Sequence, residues 1–327
     1  TQKPEKDLLF GYHRADEARR QVLIPLWNIY SFFTTYADID GWEPDSGADV
    51  EYSELDRWVL ARLNELVRDV TVRLDRYEPH TATAEVARFV DHLSNWYLRR
   101  SRSRFWAKAG SSEATDADKN AAYSTLYSVL ITLARLLAPF MPFVTEVIYQ
   151  NLVRNADSRA PASVHHTKWP DVDESAIDTR LTSEMGLILR LVSLGHAARN
   201  RSGIKVRQPL AEAAFAVGTS AEGQAVNRYS DLLQDEFNVK DIRLLESGAE
   251  VVTYKLNPLP KQLGQKYGSE FPGIRKAIMA LDAIPAAEKL LSGQSLQVEA
   301  NESTYEILPD EVQVRVEARE GFSAASE

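Results

Sequence analysis

Between Asn95 and Lys108 the chain reads N-W-Y-L-R-R-S-R-S-R-F-W-A-K, with five cations (Arg99, Arg100, Arg102, Arg104 and Lys108) and no acid. Trp96, Tyr97, Phe105 and Trp106 flank the cations. Guanidinium forks grip phosphates through paired N–H groups, and aromatic rings stack on unpaired bases, so these residue types together suit RNA. Part of the segment has a simpler explanation. Trp96 continues the apolar stripe of its helix and is expected to pack. Cations also suit the C-terminal half of a helix, and one or two of these arginines can instead pair with acids such as Asp91 or Glu146. A second acid-free run, R-N-R-S-G-I-K-V-R-Q, spans Arg199 to Gln208. Its candidate RNA contacts are Arg199, Asn200, Lys205, Arg207 and Gln208. Ser202-Gly203 should break the preceding helix, and the alternation from Ile204 to Arg207 predicts a short strand with one wet face.

Other chemistry is missing. The sequence has no G-x-x-x-x-G-K, no strand-linked G-x-G-x-x-G and no G-x-S-x-G. Gly264 to Gly268 reads as a turn before a helix rather than a phosphate loop. The six histidines (His13, His80, His92, His165, His166, His196) form no metal spacing, and there is no cysteine for a disulfide or thiolate site. We therefore expect no catalytic residue, metal site or cofactor within this chain.

The elements that must carry the basic runs are legible from periodicity. Asp16 to Tyr36 has helical spacing, with Pro25 expected to kink or split it. Ser53 is a candidate N-cap, followed by Glu54 and Asp56 in the first turn and an apolar stripe from Leu55 to Leu74. Helices are predicted from near Thr81, over 116–137, from Met141-Pro142 to about Val153, and over 178–200. After Arg201 the pattern changes to short strand-like runs at 213–217, 241–245, 251–256, 295–299, 305–308 and 312–318, with helical stretches between. The fold class is mainly α: a helical bundle over 51–210, after a connector over 1–50, followed by a small α+β domain over 211–327.

Composition bounds the function. The 327 residues carry a net charge of −9, a pI near 5.3 and a mean hydropathy of −0.32. This argues against indiscriminate coating of nucleic acid, but not against a binder whose cations gather on one face. No apolar run approaches the roughly 20 residues of a membrane helix. Thr1 to Asp7 is polar and lacks a signal-peptide core.

Several segments together resemble the isoleucyl-tRNA synthetases. They are P-L-W-N-I-Y-S-F-F at Pro25 to Phe33, Y-A-D-I-D-G-W at Tyr36 to Trp42, L-D-R-W-V-L at Leu55 to Leu60, the Asn95–Trp106 run, and I-K-V-R-Q-P-L at Ile204 to Leu210, together with A-P-F-M-P-F at Ala138 to Phe143, which the valine, leucine and methionine relatives share more widely. Asn238 to Lys240 and Leu256 to Gly268 resemble the C-terminal region of a larger, eukaryote-like subgroup. The family's H-I-G-H and K-M-S-K-S signatures, its editing region and a C-terminal cysteine zinc cluster have no counterpart here. The resemblance implies an anticodon-binding bundle and C-terminal region that follow a catalytic core, inactive alone. It implies a cytoplasmic, monomeric parent enzyme that uses ATP, Mg²⁺, isoleucine and isoleucine-accepting tRNA. Arg99, Arg100, Arg102, Arg104, Trp106, Lys108, Arg199, Asn200, Lys205, Arg207 and Gln208 are then the expected tRNA contacts. The rival readings are the equivalent region of a valyl- or other hydrophobic-amino-acid synthetase, and a non-catalytic helical scaffold that binds protein.

Overall fold

Pro25 has no backbone N–H, so the helix that contains it must rearrange just before it. In the computed structural model this is a π-helical turn. The structure describes residues 11–44, 50–107, 116–245, 252–301 and 303–318. Helix α1 (Tyr12–Ala18) widens into a π turn at Arg19–Leu23 and continues as α2 (Ile24–Asp40), with Pro25 in its first turn. Gly41 ends α2 at φ 62, where Trp42 N–H reaches the carbonyl of Ala37. The left-handed conformation is open to glycine at no steric cost.

The chain divides into two compact units, Thr1–Ser183 and Glu184–Glu327. The division falls inside a helix, upstream of the change from helical to strand pattern near residue 210.

In the first unit, Ser53 caps α3 (Glu54–Asp75) through a reciprocal box: Ser53 Oγ accepts from Asp56 N–H, and the Asp56 carboxylate accepts from Ser53 N–H. A three-residue turn leads to α4 (Pro79–His92), which passes through a second π turn (Leu93–Leu98) into α5 (Arg99–Trp106). Helices α6 (Asp116–Leu137) and α7 (Pro142–Tyr149) follow, the latter extended by a third π turn at Gln150–Arg154. The core is the apolar stripe of each helix: Leu26, Ile29 and Phe33 of α2, Trp58, Val59 and Val70 of α3, Val86 and Phe89 of α4, and Leu126, Val129, Leu130 and Leu133 of α6. All are essentially removed from water, the main favourable term in folding.

The second unit contains most of α8 (Thr179–Arg201). Strand β1 (Leu210–Ala216) pairs in parallel with β2 (Val239–Leu245), and α9 (Ser220–Arg228) and α10 (Ser230–Phe237) make the crossover. Parallel pairing needs such a connection. Strand β3 (Val252–Pro258) pairs antiparallel with β6 (Val312–Ala318), and β4 (Leu296–Ala300) forms a hairpin with β5 (Ser303–Ile307). Helices α11 (Pro260–Tyr267), α12 (Phe271–Ala280) and α13 (Ala283–Leu291) cover them, with Leu263, Ile274, Ile278, Ala287, Val298 and Ile307 fully buried between. The six strand-like runs are thus all strands, and the mainly α class with an α+β part holds. The expected strand at Ile204–Arg207 is not one. That stretch is a loop with a turn closed by Gln208 N–H on the Lys205 carbonyl, 2.9 Å.

Candidate nucleic-acid interface

Helix α5 has two faces, and each receives a different set of its arginines. Positions 99, 102, 103 and 106 lie on one side of a 3.6-residue turn, and positions 101 and 105 on the other. Burial follows that division: Arg99, Arg102, Ser103 and Trp106 are exposed, whereas Ser101 and Phe105 are buried. Phe105 fixes the helix by its ring, which stands edge-on to Phe32 of α2 (centroids 5.2 Å apart) and to Tyr123 of α6 (4.9 Å). Edge-to-face pairs of this kind add to the stabilisation from burial. Lys119 Nζ donates to the carbonyl of Ala107 at 3.0 Å, closing the C-terminal end of α5.

Arg104 points inward. Its Nη1 and Nη2 donate to the two carboxylate oxygens of Asp56, both at 2.8 Å. Its Nε donates to Asp118 Oδ2 at 3.0 Å and Nη2 to the Asp118 carbonyl at 3.0 Å. Asp56 is fully buried and also accepts from Tyr97 OH (2.7 Å), Ser53 Oγ (2.7 Å) and Ser53 N–H (3.0 Å). A carboxylate out of water is tolerated only when so surrounded. Burial alone would push the Asp56 carboxyl up. Arg104 outweighs it, with Ser53 and Tyr97 adding to the effect, and the group is held below its usual range. Burial and the Asp56 charge together drive the Tyr97 phenol well above its ordinary value. Burial would lower the Arg104 guanidinium, but Asp56 and Asp118 raise it, so it is charged at any physiological pH. Arg104 is thereby occupied with tying α5 to the starts of α3 and α6.

The remaining members of the first basic run face outward or partly so. Arg99 and Arg100 lie over the buried Trp96 ring, 5.8 and 5.4 Å from its centroid, and Arg99 Nε donates to the Asn95 carbonyl at 2.8 Å. Cation–π packing of this sort orients a guanidinium without removing it from solvent. Arg102 is exposed and Trp106 is 55% exposed. The outer strip from Arg99 to Trp106 is about 10 Å long by helical rise. Lys108 lies outside the described residues. Among the described residues, neither acid expected from the sequence pairs with an arginine of this run. Asp91 accepts from Asn95 (2.6 Å), and Glu146 accepts from Gln150, Ser163 and the Val164 N–H.

The second run shows the same division within the second unit. Arg199 is only 4% exposed and donates to four main-chain carbonyls: Lys205 at 3.0 Å, Gln208 at 3.1 Å, Phe237, and Asn238 at 3.4 Å. With no carboxylate in this set, burial lowers its pKa. Gathering those carbonyls curls residues 202–209 into a loop, which is why the alternating pattern at Ile204–Arg207 does not become a strand. Asn238, left-handed at φ 49, donates from Nδ2 to the Val206 carbonyl at 3.1 Å and holds the same loop. The close approach of α8 to Phe237 needs Gly195, because a Cβ there would stand 2.2 Å from the Phe237 ring. Asn200, in the last turn of α8, and Lys205, Arg207 and Gln208, on this loop, are exposed.

Sequence reasoning found Ser53 as the cap and Asp56 in the first turn of α3, but missed that these two, with Tyr97 and Asp118, form the clamp around Arg104, and that Asn238 holds the second loop. Asp56 carried a signal, as an acid three residues after an N-cap serine, but that signal accounted only for the cap.

No group of three or more metal-ligating side chains occurs among the described residues, and no described helix is long and apolar enough to cross a membrane.

The α5 strip thus lies on a helical bundle, and residues 56–214 match the family described as the anticodon-binding domain of tRNA ligase. The chain is 41% identical over 97% of its length to the isoleucine--tRNA ligase of Clostridium acetobutylicum, and 39% identical over 98% to that of Thermus thermophilus. It is 46% identical over 74% of its length to the isoleucine--tRNA ligase of Dehalococcoides mccartyi. The chain spans about 30% of the length of the first two relatives and 24% of the third. It belongs to the isoleucyl-tRNA synthetase family, as a stretch holding the anticodon-binding domain and the region that follows it.

Proposed function

We propose that this chain binds isoleucine-accepting tRNA at its anticodon stem-loop and so supports ATP-dependent aminoacylation by a parent isoleucine--tRNA ligase in the cytoplasm. ATP, Mg²⁺ and isoleucine are used by that enzyme's catalytic domain, whose signatures this sequence does not contain. Arg99, Arg100 and Arg102 take phosphates, and Trp106 offers a stacking surface. Asn200, Lys205, Arg207 and Gln208 add contacts from the second unit. Arg104 and Arg199 act indirectly, by holding the segments that display these side chains.

The observation that carries this reading is the exposure of Arg99, Arg102 and Trp106 along one outer face of α5, held in place by the inward Arg104 on Asp56 and Asp118. An acidic chain that fixes cations on one outer face is suited to a localised polyanion contact.

Filter binding of unfractionated tRNA to the wild-type chain and to Arg99→Ala/Arg102→Ala, across a salt series, tests it. The double variant should bind more weakly, and its log–log salt slope should flatten by roughly 0.7 to 0.9 for each phosphate no longer engaged. A folded double variant with an unchanged slope would make the strip a solvated helix face and favour the protein-scaffold alternative.

A further inference from the structure

Helix α12 presents a second strip of a different kind. Pro272, Arg275, Lys276 and Met279 follow an i, i+3, i+4, i+7 spacing and share one side of the helix. The opposite side carries Ile274 and Ile278, both fully buried. No acid occurs from Phe271 to Leu281, in a chain whose net charge is −9. The strip borders a shallow hollow of about 340 Å³ lined by Pro272, Arg275, Lys276, Met279 and Ala280. Arg275 and Lys276 are exposed and have no ion-pair partner among the described residues. Nearby Lys266 differs, since its Nζ is held by Glu311 at 2.7 Å. Met279 is 61% exposed, an unusual position for a large apolar side chain.

The helix is held rigidly. Asn301, in the β4–β5 turn at φ 50, lies against Gly273 so closely that a Cβ there would stand 2.4 Å from Asn301 Oδ1. Asn301 Nδ2 donates to Glu270 just before α12, and so fixes the N-terminal end of the helix against the hairpin. The two cations are therefore displayed from a held backbone, so that only their side chains remain to be ordered on binding.

We propose that this face of α12 is an RNA-binding surface, in which Arg275 and Lys276 take phosphodiester oxygens and Met279 packs on an adjoining sugar or base. A polyanion is the partner favoured by charge, because the strip itself has two cations and no acid; the flanking Glu270 accepts from Asn301, and Asp282 lies past the end of the helix and accepts from the Ile284 N–H. Phosphate contacts of this type add affinity and position without reading sequence. The inference rests on the tRNA-binding function proposed above and extends it to residues for which the sequence indicated no role.

The test uses the full chain and unfractionated tRNA over a salt series, with wild type, Arg275→Gln/Lys276→Gln, Arg275→Lys/Lys276→Arg and Arg99→Ala/Arg102→Ala. The glutamine pair should flatten the log–log slope by roughly 0.7 to 0.9 for each phosphate released, and the charge-keeping pair should leave it in place. Thermal unfolding of the glutamine pair should match wild type, since both side chains are on the surface. An unchanged slope in the glutamine pair, with a flattened slope in the α5 variant, would overturn this inference and leave tRNA binding through α5 intact. Wild type that fails to retain tRNA at low salt would overturn both. Equal competition by polyglutamate at matched charge would also overturn it, by showing a general anion surface.

Discussion

Replacing Arg104 with alanine should destabilise the first unit far more than removing any other arginine of the run. Arg104 supplies two of the five hydrogen bonds that Asp56 accepts, and the only cation among those donors. Truncating one partner of a buried pair costs roughly 3–5 kcal/mol, because the other charge stays behind. Ser53 and Tyr97 would still serve Asp56, and Asp118 is partly exposed and can turn to water, so the lower end applies, about 3 kcal/mol. For a unit of this size each kcal/mol lowers Tm by roughly 2–4 °C, which gives a drop of about 6–12 °C. Circular dichroism melts of wild type, Arg104→Ala, Arg104→Lys and Arg102→Ala would measure it. Arg104→Lys should fall between, since an ammonium cannot span both Asp56 oxygens and Asp118 at once. Arg102→Ala should stay within about 0.5 kcal/mol of wild type, as exposed sites generally do. A drop for Arg104→Ala no larger than that of Arg102→Ala would refute the clamp.

Three further outcomes follow from the same geometry. Asp56 has its folded-state pKa depressed below the ordinary 3.8, so its contribution is present above that value and is lost as pH falls through the folded pKa; acid unfolding of Asp56→Asn should show a shallower decline below about pH 4 than wild type does. Arg199→Met should destabilise the second unit by at least about 2 kcal/mol in a denaturant titration, because four carbonyls are deprived of a charged donor, and a neutral result would mean that water replaces it. Tyr77 is 86% exposed at φ 57, in a helix-ending turn where its N–H reaches the Leu74 carbonyl and Glu78 N–H reaches that of Arg73; Tyr77→Gly should raise stability by about 0.5 kcal/mol in a denaturant titration, the left-handed strain relieved less the added freedom of glycine when unfolded.

Much of this was legible in the sequence because it depends on local pattern. The bounds of α6 follow from its apolar period, and the six short strands from alternation between turn residues. The identity of the outward arginines was not legible. Arg104 turns in because Asp56, 48 residues earlier, and Asp118, 14 residues later, converge on it, and no window of local sequence contains all three. The π turn at Leu93–Leu98 compounds the difficulty, since a wheel drawn from Val86 or Val90 at constant period goes out of phase before Arg99. Likewise Ile204–Arg207 alternates like a strand, yet Arg199 and Asn238 bond its loop carbonyls, and tertiary contacts override the pattern.

That same π turn has a consequence for how such a helix can change. A π turn holds one residue more than the α turn it replaces, so it behaves as an insertion stored inside a helix rather than in a loop. Upstream of it the helix is indexed to the bundle core, through Val86, Phe89 and Val90. Downstream it is indexed to the interior again, through Phe105 against Phe32 and Tyr123 and through Arg104 on Asp56 and Asp118. Adding or deleting one residue between Leu93 and Leu98 would swing everything beyond it by about 100° while leaving the upstream stripe in place. Such a change would carry Phe105 and Arg104 away from their interior partners as it turned the outer strip, so the single extra residue of the π turn is what lets both stripes, before and after it, meet the same core.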